Sequence, residues 1–198
     1  MGKRTDTPKE RIQCAEAIVE IYDDSVKKRR IPKSYRTKEL DDQIRSRRTK
    51  TEAKILSEAR RGGVPTPIIY GISDYEITME YIRGHSLKHV LNEEICVKVG
   101  EMVGALHNHG IVHGDLTTSN MILNGEKIYL IDFGLSYFDN SVEARGVDVH
   151  VLFQTFKSTH NDPEKLMKAF KTGYKNVFSK PKEILKRVYE IEKRGRYL

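Results

Sequence analysis

Hydrophobic and polar positions follow a two-residue rhythm early in the chain and a helical one soon after. Residues 17–22 (AIVEIY) and 25–30 (SVKKRR) are short β-rich runs joined by Asp23-Asp24, which predicts a hairpin with an acidic turn. Pro32 breaks the second run. From Thr37 to Arg61 the spacing is helical, with Leu40, Ile44, Thr51, Ile55 and Ala59 roughly along one side. Arg47 and Arg48 interrupt that stripe, so two shorter helices describe the segment better than one. Gly62-Gly63 end it as helices usually end. Strand-like runs follow at 68–72 (IIYGI) and 76–82 (EITMEYI), and Gly84 closes the second.

Beyond residue 82 the pattern turns helical, and the chain is expected to divide there into two lobes, 1–82 and 83–198. Ile95, Val99, Met102, Val103 and Leu106 recur at helical spacing and predict a core-facing stripe. Three further helices are expected near 146–160, 163–175 and 181–193. Ahead of those three helices, IVHGDLTTSNMIL and KIYLIDFGL set charged residues directly beside β-branched and leucine runs. The fold class expected is α+β: a minimal bilobal architecture with a small antiparallel sheet in the first lobe and a reduced, mostly helical second lobe.

Composition narrows the functional classes. The chain has 198 residues, 38% of them hydrophobic, with no tryptophan, enough to bury a core in one domain or two packed lobes. No apolar run approaches the roughly 20 residues of a membrane span, and the polar N-terminus lacks the apolar stretch of a signal peptide, so a cytoplasmic protein is expected. Cys14 and Cys96 lie far apart, outside any zinc-ligand spacing. His107, His109 and His113 read as a helix end running into a turn, because Gly110 and Gly114 sit among them. The net charge is +7, yet residues 27–61 carry 14 basic against 5 acidic residues, a local excess of nine. Such a stretch is either a solvated face or a surface for a phosphate-rich partner.

The chemistry concentrates in His113-Gly114-Asp115-Leu116, in Asn120 five residues beyond the aspartate, and in Asp132-Phe133-Gly134. Phosphoryl transfer needs a divalent ion against the phosphates and a carboxylate near the attacking oxygen. Magnesium prefers hard oxygen donors, which Asn120 and Asp132 supply. Each piece is common alone; HxDLxxxN with a downstream DFG is a highly specific combination. Lys28, on the expected third strand, is the candidate for neutralising ATP phosphates, with Glu52 as its helix partner; Lys27 and Lys33 compete for the lysine role. Met79, Glu80 and Ile82 occupy the hinge where backbone would meet adenine, and Ile122 and Ile131 are placed to pack beneath the base.

HGDLTTSN (113–120), IDFGLS (131–136), KRRIPKSYR (28–36), RRTKTEA (47–53) and MEYIRG (79–84) closely resemble the small atypical kinase family of the KEOPS complex, the PRPK family. The similarity runs from about Ala15 to the RGR at 194–196. It implies an autophosphorylating serine/threonine kinase that acts mainly as a partner-activated ATPase, supporting threonylcarbamoyladenosine formation at position 37 of tRNAs reading codons that begin with adenine. Implied partners are the synthase subunit, to which some archaeal relatives are fused, the other KEOPS subunits, and tRNA. By motif matching, Lys28 is the ATP lysine, Glu52 its partner, Asp115 the catalytic carboxylate, and Asn120 and Asp132 the metal ligands. Gly114 stands where regulated kinases carry arginine, and no APE motif follows Gly134; both agree with water as acceptor. Cys14 replaces the first glycine of the family's GAEA-like turn. The basic 27–61 stretch is assigned to tRNA and the terminal KRGRYL to the synthase. A non-catalytic scaffold for tRNA and partner proteins, or a small-molecule phosphotransferase, are the competing classes.

Overall fold

The computed structural model describes residues 7–195. Its first part is a five-stranded antiparallel sheet of β1 (Glu10–Gln13), β2 (Ala17–Ile21), β3 (Ser25–Arg30), β4 (Ile69–Ile72) and β5 (Glu76–Glu80), in the order β1-β2-β3-β5-β4. The β2–β3 hairpin turns at Asp23-Asp24, as the sequence predicts, with the Tyr22 amide donating to the Ser25 carbonyl (2.8 Å). Lys28 lies mid-strand, between Val19 on one side and Ile77 on the other.

Between β3 and β4 runs α1 (Lys38–Arg61), a single helix of 24 residues rather than two. The reason is that the inward face of its first half is polar. Asp41, Thr49 and Glu52 are buried, while Leu40 and Thr51 face solvent. Arg45 reaches back to Asp41 (2.6 Å) and Asp42 (2.5 Å), and Arg48 turns toward Glu16 (2.6 Å). Of the two arginines that interrupt the apolar stripe, Arg48 therefore helps hold the helix in place together with Arg45, while Arg47 faces solvent. It stops in a Schellman arrangement: Gly63 has φ +85° and donates to the Arg60 carbonyl, and Val64 donates to Ala59.

The second part contains β6 (His85–Ser86), α2 (Leu87–Val90), α3 (Glu93–Asn108), β7 (Ile111–Val112), a 3₁₀ turn at Thr118–Asn120, β8 (Met121–Asn124), β9 (Lys127–Leu130), β10 (Tyr137–Phe138), α4 (Val142–Thr159), α5 (Pro163–Val177) and α6 (Pro181–Gly195). β6, β8 and β9 form one small sheet, and β7 pairs with β10. The expected stripe on α3 is buried at Val99, Met102, Val103 and Leu106, with Ile95 at its edge. α3 and α5 approach so closely that a Cβ on Gly173 would stand 1.9 Å from the Val97 carbonyl oxygen. α4 begins at Val142, earlier than the expected 146, because the Ser141 hydroxyl accepts from the Ala144 amide (3.1 Å) and caps it. Of the basic tail KRGRYL, Arg196–Leu198 lie outside the described residues.

Candidate active site

A cleft of about 240 Å³ opens between the five-stranded sheet and the β8–β9 hairpin. Its walls are apolar, with Val19 and Val26 from the sheet, Met79 and Ile82 from β5 and the segment after it, and Ile122 and Ile131 beside the hairpin. Glu80 and Tyr81 also line it. The inner end carries Lys28, Glu52 and Asp132. Eight of the sequence-predicted residues thus meet in one cleft: Lys28, Glu52, Met79, Glu80, Ile82, Ile122, Ile131 and Asp132.

Lys28 is the lysine that enters. Its Nζ lies 2.6 Å from Glu52 Oε1 and 2.6 Å from Asp132 Oδ1. Lys27 instead sits over the Tyr22 ring, and Lys33 donates to the Ala15 carbonyl. Burial by itself would lower the Lys28 pKa, but Glu52 and Asp132 outweigh it and hold the value above the ordinary lysine range. Burial likewise favours the neutral form of Asp132; the Lys28 charge and hydrogen bond, with the Gly134 amide, reverse this and hold the carboxyl below its usual range. Asp132 adopts φ +61°, a left-handed conformation that costs a non-glycine residue about 1–2 kcal/mol. The Gly134 amide donating to Oδ1 (3.1 Å) helps to hold it there.

Asp115 and Asn120 stand next to this end of the cleft. The Asn120 carbonyl accepts from the Ile131 amide (2.9 Å), setting Asn120 against the residue before Asp132. Asn120 Nδ2 donates to the Asp115 carbonyl (2.9 Å) and to Asp115 Oδ2 (3.0 Å). Its amide nitrogen is thereby spent on the loop, which leaves Oδ1 as its oxygen donor. His113 Nε2 donates to the Ile131 carbonyl (3.1 Å), and its Nδ1 accepts from the Asp115 amide (3.3 Å), so one imidazole orients both loops. Thr118, buried in the 3₁₀ turn, is bonded to His160 Nε2 at the end of α4 (2.9 Å).

Two charged residues essential to this geometry were not singled out by the sequence. Asp148 of α4 is 1% exposed and accepts from the amides of His113 (2.8 Å) and Gly114 (2.9 Å) and from His107 Nε2 (3.2 Å). Burial would raise its pKa, but His107 and His113 keep it below the ordinary carboxylate range. An aspartate set between Val147 and Val149 was the available signal. The other is Arg30, two residues after Lys28 on the same strand face, whose Nη2 lies 2.5 Å from Glu52 Oε2. Gly114 has φ +80°, and a Cβ there would sit 2.3 Å from the Leu135 carbonyl oxygen. The loop can approach the segment after Asp132 only because this residue is glycine.

The donor set suits magnesium. Among the described residues no group of three or more His, Cys, Asp or Glu side chains could hold a metal by itself. Asp132 offers a carboxylate and Asn120 an amide oxygen, hard donors of the kind magnesium takes together with waters and substrate phosphates.

A RIO domain model matches residues 13–169. A probable bifunctional tRNA threonylcarbamoyladenosine biosynthesis protein of Methanosarcina acetivorans is 61% identical over 86% of this chain and 31% of its own length. A probable serine/threonine-protein kinase BUD32 homolog of Archaeoglobus fulgidus is 49% identical over 92% of this chain and 93% of its own. The KEOPS complex subunit Bud32 of Pyrococcus abyssi is 43% identical over 86% and 83%. The chain thus spans about a third of the bifunctional relatives it matches and nearly all of the BUD32 homolog. Among solved structures, the Rio2 kinase–ADP/Mg2+–phosphoaspartate complex from Chaetomium thermophilum superposes with a TM-score of 0.66 at 16% identity, covering 96% of this chain and 72% of that one, which shows a shared fold. On these grounds the chain belongs to the RIO domain family and, within it, to the Bud32 homologues.

Proposed function

We propose that this chain binds ATP with Mg2+ and transfers or hydrolyses the γ-phosphate, chiefly as an ATPase within an assembly that makes threonylcarbamoyladenosine at position 37 of tRNA. The observation that carries the reading is Lys28 Nζ held 2.6 Å from both Glu52 and Asp132 at the inner end of an apolar cleft. In this reading residues 1–82 form the sheet lobe and 83–198 the helical lobe. Adenine lies between Met79, Ile82 and Ile122, with hinge backbone near Glu80 facing its edge. Lys28 faces the α- and β-phosphates, kept charged and directed by Glu52. Asn120 and Asp132 would hold magnesium, which when bound neutralises the phosphates. Asp115, oriented by Asn120, faces the attacking oxygen.

Hydrolysis is favoured over transfer to a protein because only seven residues separate Gly134 from α4, and β10 pairs straight back to β7. That span offers little room for a peptide-docking platform. The test is Mg2+-dependent ATP hydrolysis with and without the threonylcarbamoyladenosine synthase partner. Turnover should rise with the partner and vanish in Asp132→Asn. Unchanged turnover in a folded Asp132→Asn protein refutes the reading, and absence of Mg·ATP binding by titration favours a scaffold.

The proposed tRNA contact becomes narrower once the ion pairs are counted. Lys28, Arg30, Arg36, Arg45 and Arg48 are spent on Glu52, Asp132, Glu16, Asp41 and Asp42. Exposed Arg29, Lys38, Arg47 and Lys54 are the better phosphate contacts in this stretch. Each true contact should contribute about 0.9 to the slope of log affinity against log salt on duplex regions. Salt-insensitive tRNA binding would remove this partner. Among the described residues no helix is long and apolar enough to cross a membrane, and a cytoplasmic role is proposed.

A further inference from the structure

In the absence of a glycine-rich loop, the turn between β1 and β2 is the natural candidate to cover the phosphates, yet it is tied elsewhere. The Cys14 amide donates to the Ala17 carbonyl (2.8 Å), the Glu16 carbonyl accepts from the Ile31 amide (3.1 Å), and the Ala15 carbonyl accepts from Lys33 Nζ. Glu16 Oε2 pairs with Arg48 of α1 (2.6 Å) and with Arg30 (3.4 Å). None of residues 14–16 lines the nucleotide cleft; Glu16 instead lines a separate small hollow with Arg30, Lys33, Arg36, Arg45 and Arg48.

These contacts extend into an alternating series of charges. Asp132 meets Lys28, Lys28 meets Glu52, Glu52 meets Arg30, Arg30 meets Glu16, and Glu16 meets Arg48. Lys28 and Arg30 share a face of β3 because strand side chains alternate, while Arg48 and Glu52 share a face of α1 one turn apart. The Glu52 carboxylate, 2% exposed, is divided: Oε1 to Lys28 and Oε2 to Arg30. Without Arg30 that second oxygen would be buried and unpaired, and the carboxylate would turn both oxygens to the one ammonium left. Lys28 would then be drawn away from the phosphates.

We propose that Arg30 is a positioning residue for the triphosphate end of the cleft. It occupies one oxygen of Glu52 so that Lys28 stays available to phosphate, and through Glu16 it pins the β1–β2 turn against α1. Triphosphate recognition in this chain then rests on the fixed charge series, with no flap closing over the nucleotide. The proposal rests on the ATP reading above and adds a named residue to it.

Isothermal titration of Mg·ATP and of AMP separates this role from general support of the fold. Arg30→Met should weaken Mg·ATP by about tenfold or more and AMP by less than about twofold, since only the triphosphate end is disturbed. Arg30→Lys, which keeps one charge for Glu52, should recover most of the loss. Glu16→Gln should weaken Mg·ATP in the same direction but less. If Arg30→Met does not fold, Arg30→Lys and Glu16→Gln carry the test. Mg·ATP affinity unchanged in every folded variant overturns the proposal, as does equal weakening of ATP and AMP, and in both cases the ATP reading stands. Failure of the wild-type chain to bind Mg·ATP overturns both.

Discussion

Replacing Asp148 with alanine should damage the site from a distance, and the structure fixes roughly by how much. The side chain is buried and accepts three hydrogen bonds, from the His113 and Gly114 amides and from His107 Nε2. The His113 amide is itself buried, and leaving it unpaired costs about 1–3 kcal/mol. The Gly114 amide, nearer solvent, can recover a water bond, and His107 keeps the Tyr174 hydroxyl at 2.8 Å. With the lost charge-assisted bonds, the total is about 3–5 kcal/mol, in the range for breaking a buried charged pair. Asp148→Asn keeps the shape but turns a donor toward one of the amides, at about 1–3 kcal/mol. Urea unfolding followed by circular dichroism measures both. Because the folded pKa of Asp148 is depressed, its stabilisation is present above the unfolded carboxylate value of about 3.9 and is lost as pH falls through the folded one. Wild-type stability should therefore fall more steeply on the acid side than that of Asp148→Asn. ATP hydrolysis should drop about 100-fold in Asp148→Ala, as the loop holding Asp115 loses its anchor. An alanine variant within about 0.5 kcal/mol of wild type, with normal turnover, would refute the reasoning.

Other substitutions should separate the parts of the site. Glu52→Ala removes the buried carboxylate shared by two cations, leaving Lys28 only Asp132 and Arg30 only Glu16, and should cost about 3–5 kcal/mol, whereas Lys28→Met leaves one Glu52 oxygen still paired with Arg30 and should cost less, about 1–3 kcal/mol; thermal denaturation that ranks them equally would show that Glu52 is not divided. Gly114→Ala must adopt a left-handed conformation and press on the Leu135 carbonyl, losing more than about 1–2 kcal/mol and most turnover; wild-type melting would show that the loop can move aside. Ile122→Trp should fill the apolar cleft and lower ATP affinity at least about 100-fold while keeping the melting temperature near wild type; unchanged nucleotide titration would place adenine elsewhere.

The parts legible in the sequence were those with a local physical cause. The Asp23-Asp24 turn, the Gly62-Gly63 stop and the α3 stripe each follow from a few neighbouring residues, and the structure has all three. Lys28, Glu52 and Asp132 could be paired because their order along the chain carried the information. The continuity of α1 was hidden because periodicity detects apolar burial, and this helix buries Asp41, Thr49 and Glu52 against charged partners. The start of α4 was hidden for a related reason. Ser141 caps it from a segment that reads as loop, with its own amide held by Asp139 (2.6 Å). Arg30 and Asp148 escaped notice because neither stands in a motif whose order names its partners, which lie 22 and 34–41 residues away.

The two hidden residues hold opposite sides of the proposed reaction centre. Arg30 fixes the glutamate that directs Lys28, and Asp148 fixes the loop that carries Asp115. Both act through buried charge, which is costly to assemble and costlier to leave half assembled. The nucleotide side is therefore organised before any ligand arrives. On the acceptor side, by contrast, Leu135, Tyr137 and Phe138 point outward at 57%, 42% and 50% exposure, directly after the Asp132 turn. Side chains of that size beside a charged centre do little to orient an incoming hydroxyl. Under the proposed function, the chain prepares the γ-phosphate and the partner controls what reaches it, so partner binding should change turnover far more than it changes ATP affinity.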